Sequence, residues 1–306
     1  MAHDRSSRVT PIQHRVQFDF EVEFTNGGGL QGQGFRLDID GEDIADAELA
    51  AYIVRDLRLL MAGPVRILNK TILTEPHKRA AGALESGAVR YVDLSHTIED
   101  GLVTYPGLPP AHICDYLSRE DSRGIYAEGT QFQIGRIDMV ANTGTYIDCP
   151  SHRYADGKDL SQIGPEDCAD LDALVVRVPE SVRAIDDAHF RGLELRGRAV
   201  LVQTGWDRHF ATPAYGVGHP FLTEAAAVWL RDCGVRLVGI DSVNIDDTSG
   251  KARPVHSTLL GAGILIVEHL RNLAALPDSG FSFSAVPPKV KGMGTFPVRA
   301  LAKLRG

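Results

Sequence analysis

Asp148 and His152, four positions apart, are the first residues in this sequence whose types and spacing suggest chemistry. They lie in Ala141-Asn142-Thr143-Gly144-Thr145-Tyr146-Ile147-Asp148-Cys149-Pro150-Ser151-His152, after an extended, half-apolar run from Gln133 to Val140. Proline disfavours helix at the residue before it, so the spacing predicts a stiff, extended loop presenting both groups. A carboxylate and an imidazole at a fixed separation suit a metal ligand beside a proton-transfer group. A polar loop without chemistry has the same composition, so the downstream polar residues have to decide.

Asp241 directly follows the apolar run Leu237 to Ile240, and Glu268 directly follows Ile264-Leu265-Ile266-Val267 and precedes His269. His256 opens a Ser-Thr-Leu-Leu-Gly-Ala-Gly segment. A carboxylate at the end of a buried strand is costly unless it meets a cation or donors, and strand ends in α/β sheets are where sites gather. Blander readings stand beside these. Glu268 also fits a salt bridge or a helix start, His256 a helix-start residue, and Asp241 a carboxylate that ties down its own loop. No spacing singles out His96, His209, His219 or His269, though His219-Pro220 and Trp206 could line a pocket. Cys149 lies inside the motif without a His or Asn partner and reads as a small buried residue rather than a nucleophile.

The elements that must position these groups fall into two textures. Val16, Phe18, Phe20, Val22 and Phe24 alternate with polar residues, the period of a half-buried strand. Asn26-Gly27-Gly28-Gly29 makes a turn, and Phe35, Leu37 and Ile39 alternate again, which predicts a hairpin. Asp46 is expected to cap a helix carrying Leu49, Ile53, Leu57 and Leu60, with a strand from Val65 to Leu73 and a linker from Glu75 to Gly87. Residues 1 to 85 therefore read as a small β-β-α-β extension, a candidate oligomerisation module with a loose leader. From residue 86 onward, short apolar strands (Val92 to Leu94, Ala173 to Val178, Ala199 to Gln203, Leu237 to Ile240, Ile264 to Val267) mix with helical patterns. The clearest helix has Thr223 as N-cap and stops at Gly234. Apolar strands interleaved with helices predict an α/β domain around a buried sheet.

Composition narrows the partners. With 43% hydrophobic residues, 24% charged residues and a net charge of -8, no Lys/Arg block stands out that would favour nucleic acid. No apolar run approaches the roughly 18 residues of a membrane span, and the polar start does not read as a secretory signal. The four cysteines are scattered without a C-x-x-C, so neither a disulfide framework nor a cysteine metal cluster is indicated, and a cytoplasmic location is expected.

Asp148-x-Pro150-x-His152, preceded by Gly144-Thr145, resembles the signature His-x-Gly-Thr-His-x-Asp-x-Pro-x-His of the metal-dependent cyclase and bacterial kynurenine formamidase family, which is also similar to isatin hydrolase. Val92-Asp93-Leu94-Ser95, Tyr105-Pro106-Gly107, the spacing of His256 and Glu268, Leu270-x-Asn272-Leu273 and the closing Pro287 to Ala300 extend the resemblance across residues 90 to 301. It implies an α/β fold of the swivelling β/β/α type, a homo-oligomer (dimer or tetramer), and zinc or manganese in one- or two-metal sites. It also implies hydrolysis of amide or cyclic amide bonds, with aryl formamides and isatin as substrate types. Carried over residue by residue, Asp148, His256 and Glu268 match metal ligands and His152 the catalytic histidine. Two signature histidines are replaced by Asn142 and Tyr146, neither a routine zinc ligand. One divalent ion, Zn or Mn, is therefore expected rather than two, with Asn142, Tyr146, Trp206 and His219 as substrate-binding walls.

The expected reaction is attack of a metal-activated water on an amide carbonyl, with His152 as general acid and base. A lactonase, dehydratase or cyclase acting on a carboxylated or polyketide-like substrate is the second reading. A metal-free binding protein that kept the pocket is the third.

Overall fold

A computed structural model describes residues 12–39, 41, 43–57, 59, 62–76 and 89–305. The chain divides into two compact units, Met1–Leu84 and Glu85–Gly306. Most of the expected leader, residues 1 to 14, and most of the expected linker lie outside the described residues, and the last three leader residues belong to a strand that starts at Ile12.

In the smaller unit, β1 (Ile12–Phe24), β2 (Gly29–Ile39) and β3 (Ala62–Pro76) form an antiparallel sheet with β1 in the centre, and α1 (Asp46–Asp56) sits between β2 and β3 in sequence. The alternation is realised as read. Val16, Phe18, Phe20 and Val22 point to one side and are buried with Leu49 and Ile53 of α1; full burial of such side chains contributes roughly 1.5–3 kcal/mol each. Ala45, not Asp46, is the N-cap of α1. Asp46 instead occupies the first turn, where its charge suits the helix dipole and meets Lys70 Nζ at 3.0 Å. β3 runs to Pro76, past the expected start of the linker.

The larger unit begins with β4 (Val89–Asp93), β5 (His112–Leu117), α2 (Arg119–Ser122), β6 (Ile134–Asp138) and β7 (Tyr146–Asp148). It continues through β8 (Leu171–Arg177), β9 (Ala184–Ile185), β10 (Ala199–Gln203), β11 (Phe221–Leu222), α3 (Glu224–Cys233) and β12 (Leu237–Ile240). It closes with α4 (Pro254–Gly261), β13 (Leu265–Glu268), β14 (Ser279–Ser284), β15 (Thr295–Pro297) and β16 (Leu301–Arg305). Nine strands make one mixed sheet in the order β15-β7-β13-β12-β10-β8-β14-β16-β4. Its centre, β8, β10, β12 and β13, is parallel, and the flanking strands run antiparallel.

Both faces of the centre are buried, which is why its strands read as unbroken apolar runs. Ala173, Leu201, Leu237 and Val267 pack on one face. Val176, Val200, Val238 and Ile266 pack on the other, under Ala226, Ala227 and Leu230 of α3 and Val255, Leu259 and Leu260 of α4. α3 has the expected ends, with Thr223 Oγ1 accepting from Ala226 N at 3.2 Å and Gly234 left-handed at φ 74°. The run from Gln133 supplies β6, but it pairs with β5 in a separate two-stranded sheet.

Candidate active site

The site is built where β7 and β13 lie antiparallel, with Glu268 opposite Tyr146 and Ile266 opposite Asp148. Side chains alternate across a strand. Ile147 and Val267 therefore enter one core face, and Tyr146, Asp148 and Glu268 share the other, the face covered by α4. The sequence placed three polar side chains on one face simply by spacing them two apart.

After Asp148 the chain does not stay extended, as the Asp-x-Pro-x-His spacing predicted. Cys149 is extended, consistent with the proline next to it, but Pro150–His152 is a single 3-10 turn with Pro150 in its first turn. Gly294 packs against this turn so closely that a Cβ would collide with the His152 backbone nitrogen. The turn brings His152 back over Asp148, with Nδ1 3.7 Å from Asp148 Oδ1.

Asp148 is fully buried. Its Oδ1 accepts a hydrogen bond from Thr295 Oγ1, and its Oδ2 has no hydrogen-bond partner. Because the Thr295 hydroxyl donates to Asp148, it accepts from His152, whose Nδ1 lies 2.7 Å away. That assigns the proton of a neutral His152 to Nδ1 and leaves Nε2 as a free acceptor. His152 itself is one-third exposed.

His256 stands in the first turn of α4, buried. Asp246 holds it on two sides: Oδ2 takes the His256 Nδ1 at 2.6 Å and its backbone N–H at 3.0 Å, while Oδ1 takes the Val255 N–H at 2.8 Å. Nε2 is thereby aimed at two carboxylates, 3.7 Å from Asp148 Oδ2 and 3.7 Å from Glu268 Oε1. Burial disfavours its imidazolium, but Asp148, Asp246 and Glu268 outweigh that and push its pKa up to about 10.

Glu268, also buried, is held by the Ile245 N–H at Oε1 and by the Tyr146 hydroxyl at Oε2, both at 2.6 Å. Burial raises its carboxyl, and neighbouring Asp148 adds to the rise against the pull of His256.

The donor set fits a divalent cation. A buried carboxylate oxygen without a partner calls for a positive charge. Separations of 3.7 Å are too long for hydrogen bonds yet suit two donors that each approach one ion at about 2.0–2.2 Å. The ligand atoms of Asp148, His152 and His256 all lie within 4.8 Å of one another. His152 is thus near enough to ligate as well as to move a proton.

The remaining sequence candidates lie around this centre. Tyr146 is buried, and its hydroxyl is committed to Glu268 rather than open to a bound molecule. Burial, with Glu268 and Asp148 nearby, keeps it a neutral phenol with a pKa well above the usual value. Asn142 is half-buried beside that phenol. His219 is buried with both ring nitrogens engaged, Nδ1 3.0 Å from Pro220 O and Nε2 2.9 Å from Thr248 Oγ1. Trp206 donates its indole N–H to Tyr215 O at 2.8 Å. None of these four lines the cavity of about 320 Å³ bordered by His152, Arg153, Asn244, Lys251, Ala252, Arg253 and His256. Cys149 is fully buried, and burial raises its thiol.

Sequence reasoning missed Asp246 and Thr295. Asp246 is ten positions before His256 and Thr295 is 147 after Asp148, separations that match no local period.

The family model described as "Putative cyclase" matches residues 92–247. The kynurenine formamidase of Geobacillus thermodenitrificans is 29% identical over 225 residues, covering 71% of this chain and 98% of its own. The structure of a "predicted metal-dependent hydrolase from Bacillus stearothermophilus" aligns with a TM-score of 0.57 at 26% identity, covering 71% of this chain and 98% of that one. Isatin hydrolase A from Labrenzia aggregata, bound to benzyl benzoate, aligns with a TM-score of 0.62 at 23% identity, covering 71% and 94%.

Proposed function

Because the chain belongs to the cyclase family, whose model matches residues 92–247, we propose that it is a metal-dependent hydrolase of the C–N bond in an aryl formamide or cyclic amide. The observation that carries this reading is the bare, buried Oδ2 of Asp148 facing His256 Nε2. Similarity to kynurenine formamidases supports the choice of bond.

In this reading Asp148, His256 and Glu268 hold one Zn²⁺ or Mn²⁺, an oxygen-rich set with one nitrogen that suits either ion. The ion supplies Lewis acidity, polarising a carbonyl and acidifying water. The chain's own residues do the rest. Asp246 fixes the His256 tautomer and ring plane, so Nε2 needs no reorganisation to bind. Tyr146 fixes Glu268 by the same logic. His152 Nε2, freed by the Asp148–Thr295–His152 relay, takes a proton from the attacking water and returns it to the departing nitrogen. Such general acid–base help is worth about 10²–10⁴-fold.

Among its described residues the smaller unit carries no candidate chemistry, and we assign it a role in pairing copies of the chain, since unpaired strand edges invite partners. A chain truncated before Arg90 that kept the same number of subunits per particle would end that assignment. Among the described residues, no helix is long and apolar enough to cross a membrane.

Metal analysis of protein purified without chelator, followed by assays of aryl formamides, isatin and lactones with Zn²⁺ or Mn²⁺, tests the main proposal. We expect one ion per chain and turnover of the amides. Lactone turnover alone would move the assignment to the second reading. A protein that neither retains nor takes up a transition metal would be a binding protein instead.

A further inference from the structure

Building on the amide-hydrolase reading, we propose that the substrate carries a carboxylate near its scissile amide, and that Arg153, Lys251 and Arg253 receive it. These three cations border the cavity of about 320 Å³ that reaches His152 and His256. Among the described residues none of the three lies within ion-pair distance of an Asp or Glu, whereas Arg177, Arg198, Arg208, Arg236 and Arg299 each do. On a chain where 40 acids outnumber 32 bases, three unpaired cations around one cavity form a distinct local field.

Their other contacts leave donors free. Arg253 Nη1 gives hydrogen bonds to the carbonyls of Asp247, Gly250 and Ala252, at 3.2, 2.9 and 2.8 Å, which pins the rim loop. Its Nε and Nη2 have no such partners in the loop, and the Tyr105 phenol also meets this guanidinium. Arg153 Nε donates to Ser257 Oγ at 3.2 Å, leaving its two terminal nitrogens. Asn244 Oδ1 accepts from the Asp246 N–H at 2.9 Å, so its amide nitrogen is the group left to donate into the cavity. A guanidinium with two free N–H edges matches a carboxylate in a way a neutral ring cannot. The three carboxylates behind His256 do not cancel this field, because with a divalent ion seated the positive charge around the cavity exceeds theirs.

Three matched substrates test the proposal: formanilide, 2-formamidobenzoate and the methyl ester of the latter. The acid should be hydrolysed with a kcat/KM about tenfold or more above the other two at low salt, and the advantage should shrink as salt screens it. The exposed pair Arg153→Gln and Lys251→Gln should bring the ratio toward unity, and Arg253 is left in place because it holds the loop. As a readout independent of turnover, benzoate should bind Zn²⁺-loaded protein in preference to benzamide, and the variant carrying Arg153→Gln and Lys251→Gln should lose that preference while keeping its zinc. Equal turnover of all three substrates, or benzoate bound no tighter than benzamide, would overturn the proposal. Hydrolysis of none of the three, with benzoate still preferred, would refute the amide reading and uphold the carboxylate site.

Discussion

Asp148 and Asp241 make an instructive pair. Both are buried carboxylates at the ends of strands in the nine-stranded sheet, Asp148 closing β7 and Asp241 following β12. Asp241 is fully served. It accepts from Thr204 N at 2.8 and 3.0 Å, from Thr204 Oγ1 at 2.6 Å and from Gly205 N at 2.8 Å. Asp148 has one donor, on Oδ1, and nothing on Oδ2. A fold that supplies four contacts to one strand-end carboxylate is able to supply donors, and at the other it has left an oxygen for something outside the chain. Among the described residues Asp148 Oδ2 is the one carboxylate oxygen in the set of buried side-chain atoms without a partner, and that difference supports the proposal that Asp148 is a ligand while Asp241 is structural.

Asp148→Asn should break this comparison most visibly. It removes the charge the ion needs, so metal content should fall to background and amide turnover should drop by about 10³-fold or more. With the ion removed, the Asp148 charge still faces the His256 imidazolium at 3.7 Å, so the chelator-treated variant should melt modestly lower than chelator-treated wild type. Metal retained by the variant would make Asp148 structural after all. His152→Ala comes next, with an expected loss of about 10²–10⁴-fold in kcat and the metal still bound. Loss of the metal instead would move His152 from proton transfer into the ligand set, which its position within 4.8 Å of Asp148 and His256 also permits.

The legible part of the site is the part written locally. Asp148 and His152 share one short motif, and Tyr146 and Asp148 are spaced for one strand face. Glu268 ends an apolar run that had to be a strand, and the alternation of β1 was equally plain. The 3-10 turn at Pro150–His152 was not legible, because proline constrains only the residue before it, while the packing of Gly294 sets the path of the chain beyond. Thr295 and Asp246 were invisible for a related reason. Each acts on a residue brought to it by the sheet or by the start of α4, and a lone Thr or Asp in a loop carries no period to mark it. The β5–β6 pairing is not legible either, since the half-apolar run from Gln133 to Val140 marks one strand and nothing in it names the partner.

Asp246→Asn sharpens the comparison from the second sphere of contacts. It keeps one acceptor oxygen, enough for the Val255 N–H or for the His256 N–H but not for both, and weakens the hold on His256 Nδ1. Metal affinity should fall about 10–100-fold, read by competition with a chromophoric chelator. An unchanged affinity would mean that α4 alone orients the imidazole.

Asp241→Asn should affect the metal centre least. An amide nitrogen would face the N–H and O–H donors of Thr204 and Gly205, so stability should fall by about 1–3 kcal/mol with metal content unchanged. A pH signature accompanies the loss. Burial raises the Asp241 carboxyl from 3.8 to about 6 despite the four hydrogen-bond contacts. Between those values the folded chain holds a proton that the unfolded chain has released, so raising the pH through this window costs the native state. The Asp241 contribution therefore favours folding most below about pH 4, declines toward pH 6 and is flat above it. Chemical denaturation of wild type and variant across pH 4 to 7 isolates that slope, which Asp241→Asn should lack. Parallel curves would mean that the Thr204 and Gly205 donors fully offset burial, and that Asp241 is ionised at no cost while Asp148 alone bears the penalty of a bare oxygen.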